Sequence, residues 1–118
     1  MNNGYEDLEV WKKSKNLSVE IHKITRKFPL EEKYGLTSQM RRASISIPSN
    51  IAEGATRRSK KEFSRFVLIA HGSCSELRTQ LIISYEIGNI EEFTFRKFDK
   101  ELQIIGRMLK ALERSLLK

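Results

Sequence analysis

The chain has 118 residues, a formal charge of +7 at pH 7 and a pI of about 9.7, which is one domain's length and a balance suited to a polyanionic partner. A single cysteine excludes an intramolecular disulfide framework, and six Gly with two Pro are too few for an all-β fold of many tight turns. At 39% hydrophobic the chain is too apolar to be disordered, yet no apolar run approaches the ~20 residues of a membrane span.

The first helix is expected over about residues 6–28. Glu6, Asp7 and Glu9 open it, and Lys23, Arg26 and Lys27 close it, so both ends complement the macrodipole. Val10, Leu17, Ile21, Ile24 and Phe28 step by 7, 4, 3 and 4 and form one stripe, with Trp11 adjoining. Pro29 then disfavours helical geometry at Phe28. A second helix, about 31–54, carries Leu36, Met40, Ala43, Ile47 and Ile51 in steps of 4, 3, 4 and 4. Pro48 inside this stripe removes a backbone donor and predicts a kink or a short break. Gly54 is the expected left-handed cap.

The third helix, about 59–87, opens on Ser59 with Glu62 three residues later, the pattern of a capping box. Phe63, Phe66, Val67, Ala70, Cys74, Leu77 and Leu81 hold its apolar face. Gly88-Asn89 breaks it. The fourth, about 90–117, is expected to take Asn89 as N-cap with Glu92 in the reciprocal position. Phe98, Leu102, Ile105, Leu109, Leu112 and Leu116 step by 4, 3, 4, 3 and 4. Gly106 marks a weak point or a close backbone approach. No strand alternation, repeat or linker is evident. The fold class is therefore all-α, a single domain over 1–118 forming an antiparallel up-and-down four-helix bundle kinked at Pro48. Phe63, Phe93, Phe95, Ile82 and Ile83 fall partly off the stripes. They belong either to a subunit interface or to a wide core.

Helix two carries a second line of residues: Gln39, Arg42, Ser46, Asn50 and Glu53, in steps of 3, 4, 4 and 3. Ser and Asn are mediocre helix formers, so short polar groups at mid-helix need tertiary partners. Ser73, Glu76 and Gln80 form a comparable line on helix three. The two lines are expected to meet in a polar network in which Arg42 and Glu53 face groups such as Glu76; a merely solvated face is the alternative.

The positive charge is spread along the chain with one concentration: Arg57, Arg58, Lys60, Lys61 and Arg65 oppose only Glu62. Arg41 lies upstream, and Lys12, Lys13 and Lys15 make a smaller cluster on helix one. Clustered cations attract phosphate by releasing condensed counterions, without reading sequence. Nothing supports catalysis, a metal or a cofactor. His22 and His71 are isolated, Cys74 has no paired Cys or His, and the glycines are scattered singly rather than gathered in a phosphate loop. The opening residues Met1 to Lys13 lack the ~7–15-residue apolar core of a secretory signal. The lone Cys74 suits a reducing interior, and the chain reads as cytoplasmic and without a membrane role.

The stretch Gln39-Met40-Arg41-Arg42-Ala43-Ser44-Ile45-Ser46-Ile47-Pro48-Ser49-Asn50-Ile51-Ala52-Glu53-Gly54 resembles the bacterial four helix bundle protein family, also called the 23S rRNA-intervening-sequence or ribosomal protein S23-like family. Asp7-Leu8-Glu9-Val10-Trp11 and Gly72-Ser73-Cys74-Ser75-Glu76-Leu77 support it, and the likeness covers nearly the whole chain. The resemblance implies a non-enzymatic protein that forms homopentameric barrels of bundles. It also implies kinship with accessory proteins of diversity-generating retroelements, which contact a reverse transcriptase and nucleic acid. It places emphasis on Arg42, Ser46, Pro48, Asn50, Glu53, Gly54, Ser73 and Glu76, assigned here to structure and assembly. Two functional readings follow. In the first, an oligomeric bundle binds RNA or DNA, with Arg57, Arg58, Lys60, Lys61 and Arg65 on phosphate and Arg41 in support. In the second, a ring of bundles is a scaffold for another protein and binds no nucleic acid of its own.

Overall fold

A computed structural model describes residues 4–118, so the first three residues of the expected unit lie outside it. Four helices, α1 (Glu9–Thr25), α2 (Leu36–Ala55), α3 (Lys60–Glu86) and α4 (Glu92–Leu116), follow one another with short connections. Each packs on its neighbour in the chain and α1 closes against α4, while the diagonal pairs do not approach. The result is an up-and-down bundle measuring 44 × 23 × 21 Å. No strand occurs among the described residues.

The core is built from the stripes. Leu17 and Ile21 of α1, Met40, Ile47 and Ile51 of α2, Val67, Leu77 and Leu81 of α3, and Phe98, Ile105 and Leu109 of α4 are all but fully buried. Burying such a side chain is worth ~1.5–3 kcal/mol, and this drives the helices together. Phe63 and Phe95 pack partly against this core, and Phe95 stacks on Tyr85 at 5.1 Å. Phe93 and Ile83 remain exposed.

The helix ends depart from the expected ones. Residues Gly4–Asp7 form a short 3-10 helix, and extended Leu8 separates it from α1, which therefore starts at Glu9. Its place is fixed by Tyr5, whose ring meets Trp11 edge-on at 5.3 Å. After Pro29 the chain makes a second 3-10 turn, Leu30–Glu32, and non-helical Gly35 delays α2 to Leu36. Helix α2 then runs unbroken through Pro48, so no break occurs there. Ser59 caps α3 as expected, its hydroxyl accepting from the Glu62 amide at 3.0 Å.

Asn89 does not cap α4. Gly88 has φ +88°, and its amide and that of Asn89 donate back to the Tyr85 and Ser84 carbonyls at 3.1 and 2.8 Å. This is the Schellman closure of α3, so Asn89 serves the helix behind it and α4 starts at Glu92. Gly54 is likewise not a left-handed cap. It lies inside α2, where an added Cβ would sit 2.7 Å from Phe66 Cβ and 2.9 Å from Phe63 Cδ1. Its role is to let α2 and α3 approach.

Candidate nucleic-acid interface

The α2–α3 junction turns in four residues between Ala55 and Lys60. Thr56 keeps helical geometry, and the Arg57 amide reaches the Gly54 carbonyl at 3.1 Å, so the chain leaves α2 by a tightened turn. Arg57, Arg58, Lys60, Lys61 and Arg65 are all exposed there. Arg57 is held in place: its Nη2 donates to Glu53 Oε2 at 2.8 Å, and its guanidinium lies 4.9 Å from the Phe66 ring centroid. Arg58, Lys60, Lys61 and Arg65 have no ion pair among the described residues. Lys60 and Lys61 also occupy the first turn of α3, where a cation opposes the helix dipole by ~0.3–1 kcal/mol. An anion at this end relieves that penalty.

The polar line on α2 is partly joined to α3. Ser73 Oγ donates to Ser46 Oγ at 2.8 Å, and Asn50 Nδ2 donates to Ser46 Oγ at 2.9 Å and to its carbonyl at 2.8 Å. Glu53 turns instead to Arg57, and Arg42 makes no hydrogen bond to Glu76, although both border one polar cleft with Gln39 and Tyr34. The expected network therefore reduces to Ser46, Asn50 and Ser73. Pro48 is buried in the same helix.

Arg41 and Arg42 divide differently from the expectation. Arg41 Nε donates to Thr25 Oγ1 at 2.9 Å and Nη2 to the His22 carbonyl at 3.3 Å, which ties α2 to the last turn of α1. Arg42 is exposed. The two are neighbours in sequence but point ~100° apart around the helix, and packing on α1 decides which one is engaged.

A second basic surface lies between α3 and α4, where His71, Arg78, Arg107, Lys110 and Arg114 line a cleft of about 500 Å³. Sequence reasoning missed it as a site. Arg107, Lys110 and Arg114 do stand at helical spacing on α4, but their α3 partners emerge only once the two helices are in register.

Of the groups singled out for chemistry, Cys74 is buried, His22 is engaged on its own helix and His71 lines the α3–α4 cleft. Burial pushes the Cys74 thiol up to about 12, so it stays protonated and unreactive at neutral pH. His22 Nδ1 lies 2.9 Å from the Ser18 carbonyl on its own helix. Among the described residues no cluster of His, Cys, Asp and Glu is placed to hold a metal, and no helix is long and apolar enough to cross a membrane.

A crystal structure of a protein of unknown function from the S23 ribosomal protein family of Bacteroides thetaiotaomicron superposes with a TM-score of 0.83, at 22% identity over 89% of this chain and 95% of that one. That likeness establishes the bundle fold. No curated protein matches the chain. The family model of the 23S rRNA-intervening sequence protein matches residues 6–111. With nearly the whole bundle inside that match, the chain belongs to the 23S rRNA-intervening sequence protein family.

Proposed function

We propose that this protein is a non-enzymatic, oligomeric helical bundle that binds the phosphate backbone of RNA or DNA through the basic junction of α2 and α3. The observation that carries the reading is the group Arg58, Lys60, Lys61 and Arg65, exposed and without ion pairs among the described residues. Arg57 stands beside them on its Glu53 and Phe66 support, and Arg41 is left to its bonds with α1. Replacing Arg58, Lys60, Lys61 and Arg65 together by Gln removes no side-chain ion pair among the described residues. The variant is expected to fold as the parent does and to bind RNA more weakly. Its dependence of log K on log salt is expected to be shallower, by ~0.7–0.9 for each phosphate no longer neutralised. Unchanged affinity in a folded variant overturns the assignment.

A second reading concerns assembly, and the outer face of α3 favours it. Leu68 and Ile69 near its start, Ile83 near its end and Ile87 just past it are about half exposed. Exposed apolar side chains along one helix face suit a contact between copies. In this reading the protein is a homo-oligomer, a pentamer by family resemblance, and a scaffold for a protein partner without nucleic acid. Light scattering of the purified chain, with and without RNA, separates the readings: a defined oligomer that ignores RNA favours the scaffold, and a monomer that ignores RNA defeats both.

A further inference from the structure

The cleft between α3 and α4 has four cations on its walls, Arg78, Arg107, Lys110 and Arg114, and no carboxylate. Asp99 lies just outside it and orders one end: it accepts from Arg78 Nε at 2.6 Å and from Gln103 Nε2 at 3.1 Å. The Arg78 Nη atoms make no bond among the described residues. Arg107, Lys110 and Arg114 have no ion pair among the described residues. Gly106 keeps the middle open, its nearest side-chain neighbour being His71 Nε2, 3.8 Å from where a Cβ would stand. Cys74 and Leu102 supply an apolar floor.

The helices run antiparallel, so Arg114, near the end of α4, stands at the same end of the bundle as Lys60 and Lys61, where α3 begins. Lys60, Ser64, Val67, His71, Cys74 and Arg78 step along α3 by 4, 3, 4, 3 and 4 and share its α4 side. The cleft cations and the junction cations therefore stand in line along the bundle, with buried, uncharged Ser64 and Val67 between them on α3.

We propose that a single phosphodiester strand lies along this α3–α4 groove, with Arg78, Arg107, Lys110 and Arg114 on its phosphates, and leaves across Lys60 and Lys61. The proposal rests on the backbone-binding reading above and adds the kind of strand and its path. The cleft holds about 500 Å³, room for one short run of backbone but not for the body of a duplex. No Phe, Tyr or Trp lines the cleft, and His71 is its one ring, so it lacks the row of large aromatics on which many single-strand binders hold bases. Recognition is through the backbone and independent of sequence.

The test compares the parent chain, the junction variant R58Q/K60Q/K61Q/R65Q and a groove variant, R107Q/K110Q/R114Q. The probes are a labelled uridine tract of about 20 nucleotides, longer than the ~4–16 nucleotides one small domain covers, and an RNA duplex of the same length. Anisotropy is followed between about 50 and 200 mM salt, where phosphate contacts dominate. The groove variant is expected to bind the uridine tract at least about tenfold more weakly, with a salt slope flatter by ~2 once three cations are gone, and to lose much less for the duplex. A charge-keeping variant, R107K/K110R/R114K, is expected to retain binding, which separates charge from folding. Parental affinity in the groove variant, with the junction variant impaired, overturns the groove and leaves the junction reading standing. Equal losses on tract and duplex overturn the single-strand assignment. Inorganic tripolyphosphate is the last probe: tight binding of it in the groove by a protein that does not hold the tract makes the site one for small polyphosphates and overturns the proposal. A parent chain that binds neither RNA defeats the backbone reading itself.

Discussion

Replacing Gly54 by alanine puts a methyl group into the α2–α3 contact. The added carbon would stand 2.7 Å from Phe66 Cβ, 2.9 Å from Phe63 Cδ1 and 3.3 Å from the Phe63 carbonyl oxygen. The Phe63 ring is the movable end of a side chain, but Phe66 Cβ is fixed to the α3 backbone, so the helices must part. Overpacking of this kind costs typically ~1–3 kcal/mol. Alanine returns up to ~1 kcal/mol through its better helix propensity, for a net loss of up to about 2 kcal/mol. Gly72 is the internal control: it lies mid-helix in α3 with nothing within 4 Å of an added Cβ. Gly72→Ala should therefore gain ~0.5–1 kcal/mol. Urea unfolding followed by far-UV circular dichroism measures both. A shift of 1 kcal/mol moves the thermal midpoint by ~3–6 °C in a domain of this size. Gly54→Ala at least as stable as Gly72→Ala would refute the close-approach role of Gly54.

Other outcomes follow from the same geometry. Arg41→Gln breaks the bonds to Thr25 and the His22 carbonyl and should destabilise by ~1–2 kcal/mol, whereas exposed Arg42→Gln should stay within ~0.5 kcal/mol of the parent; parallel urea melts decide it. Cys74, raised from 9.0 to about 12 by burial, holds its proton more tightly folded than unfolded. Its contribution is complete below pH 9 and is lost as pH rises towards 12, so Cys74→Ala should lose less stability than the parent over that interval. Identical alkaline slopes for the two proteins would contradict this.

The bundle was legible in the sequence because each stripe repeats at the period of a helix, and the spacing alone assigns Met40, Leu77 and Ile105 to the core. The helix ends were less legible. Asn89 has the chemistry of an N-cap, but the preceding glycine's positive φ turns its amide back to Ser84, and local propensity does not rank the two uses. Gly54 matched a cap by position in the pattern, yet its reason is a contact with Phe63 and Phe66 on another helix. The same limit explains the candidate sites. The junction cations are contiguous in sequence and could be read there. The groove joins Arg78 to Arg107, Lys110 and Arg114, and only the antiparallel register of α3 and α4 brings them together. Ser46 and Ser73 were expected to share a polar network, and their 2.8 Å contact joins α2 to α3. The charged members of that line, Arg42 and Glu53, were drawn to solvent and to Arg57, because exposed charges gain little from crossing to another helix.

Binding of a nucleic-acid backbone by the unpaired surface cations is tested most directly by the affinity of the unmodified chain for a uridine tract as salt rises from about 50 to 200 mM. Binding at low salt is expected, with a linear fall of log K against log salt and a slope of about −3 or steeper, as for four or more phosphate contacts at ~0.7 each. No binding at low salt, or an affinity indifferent to salt, would contradict it.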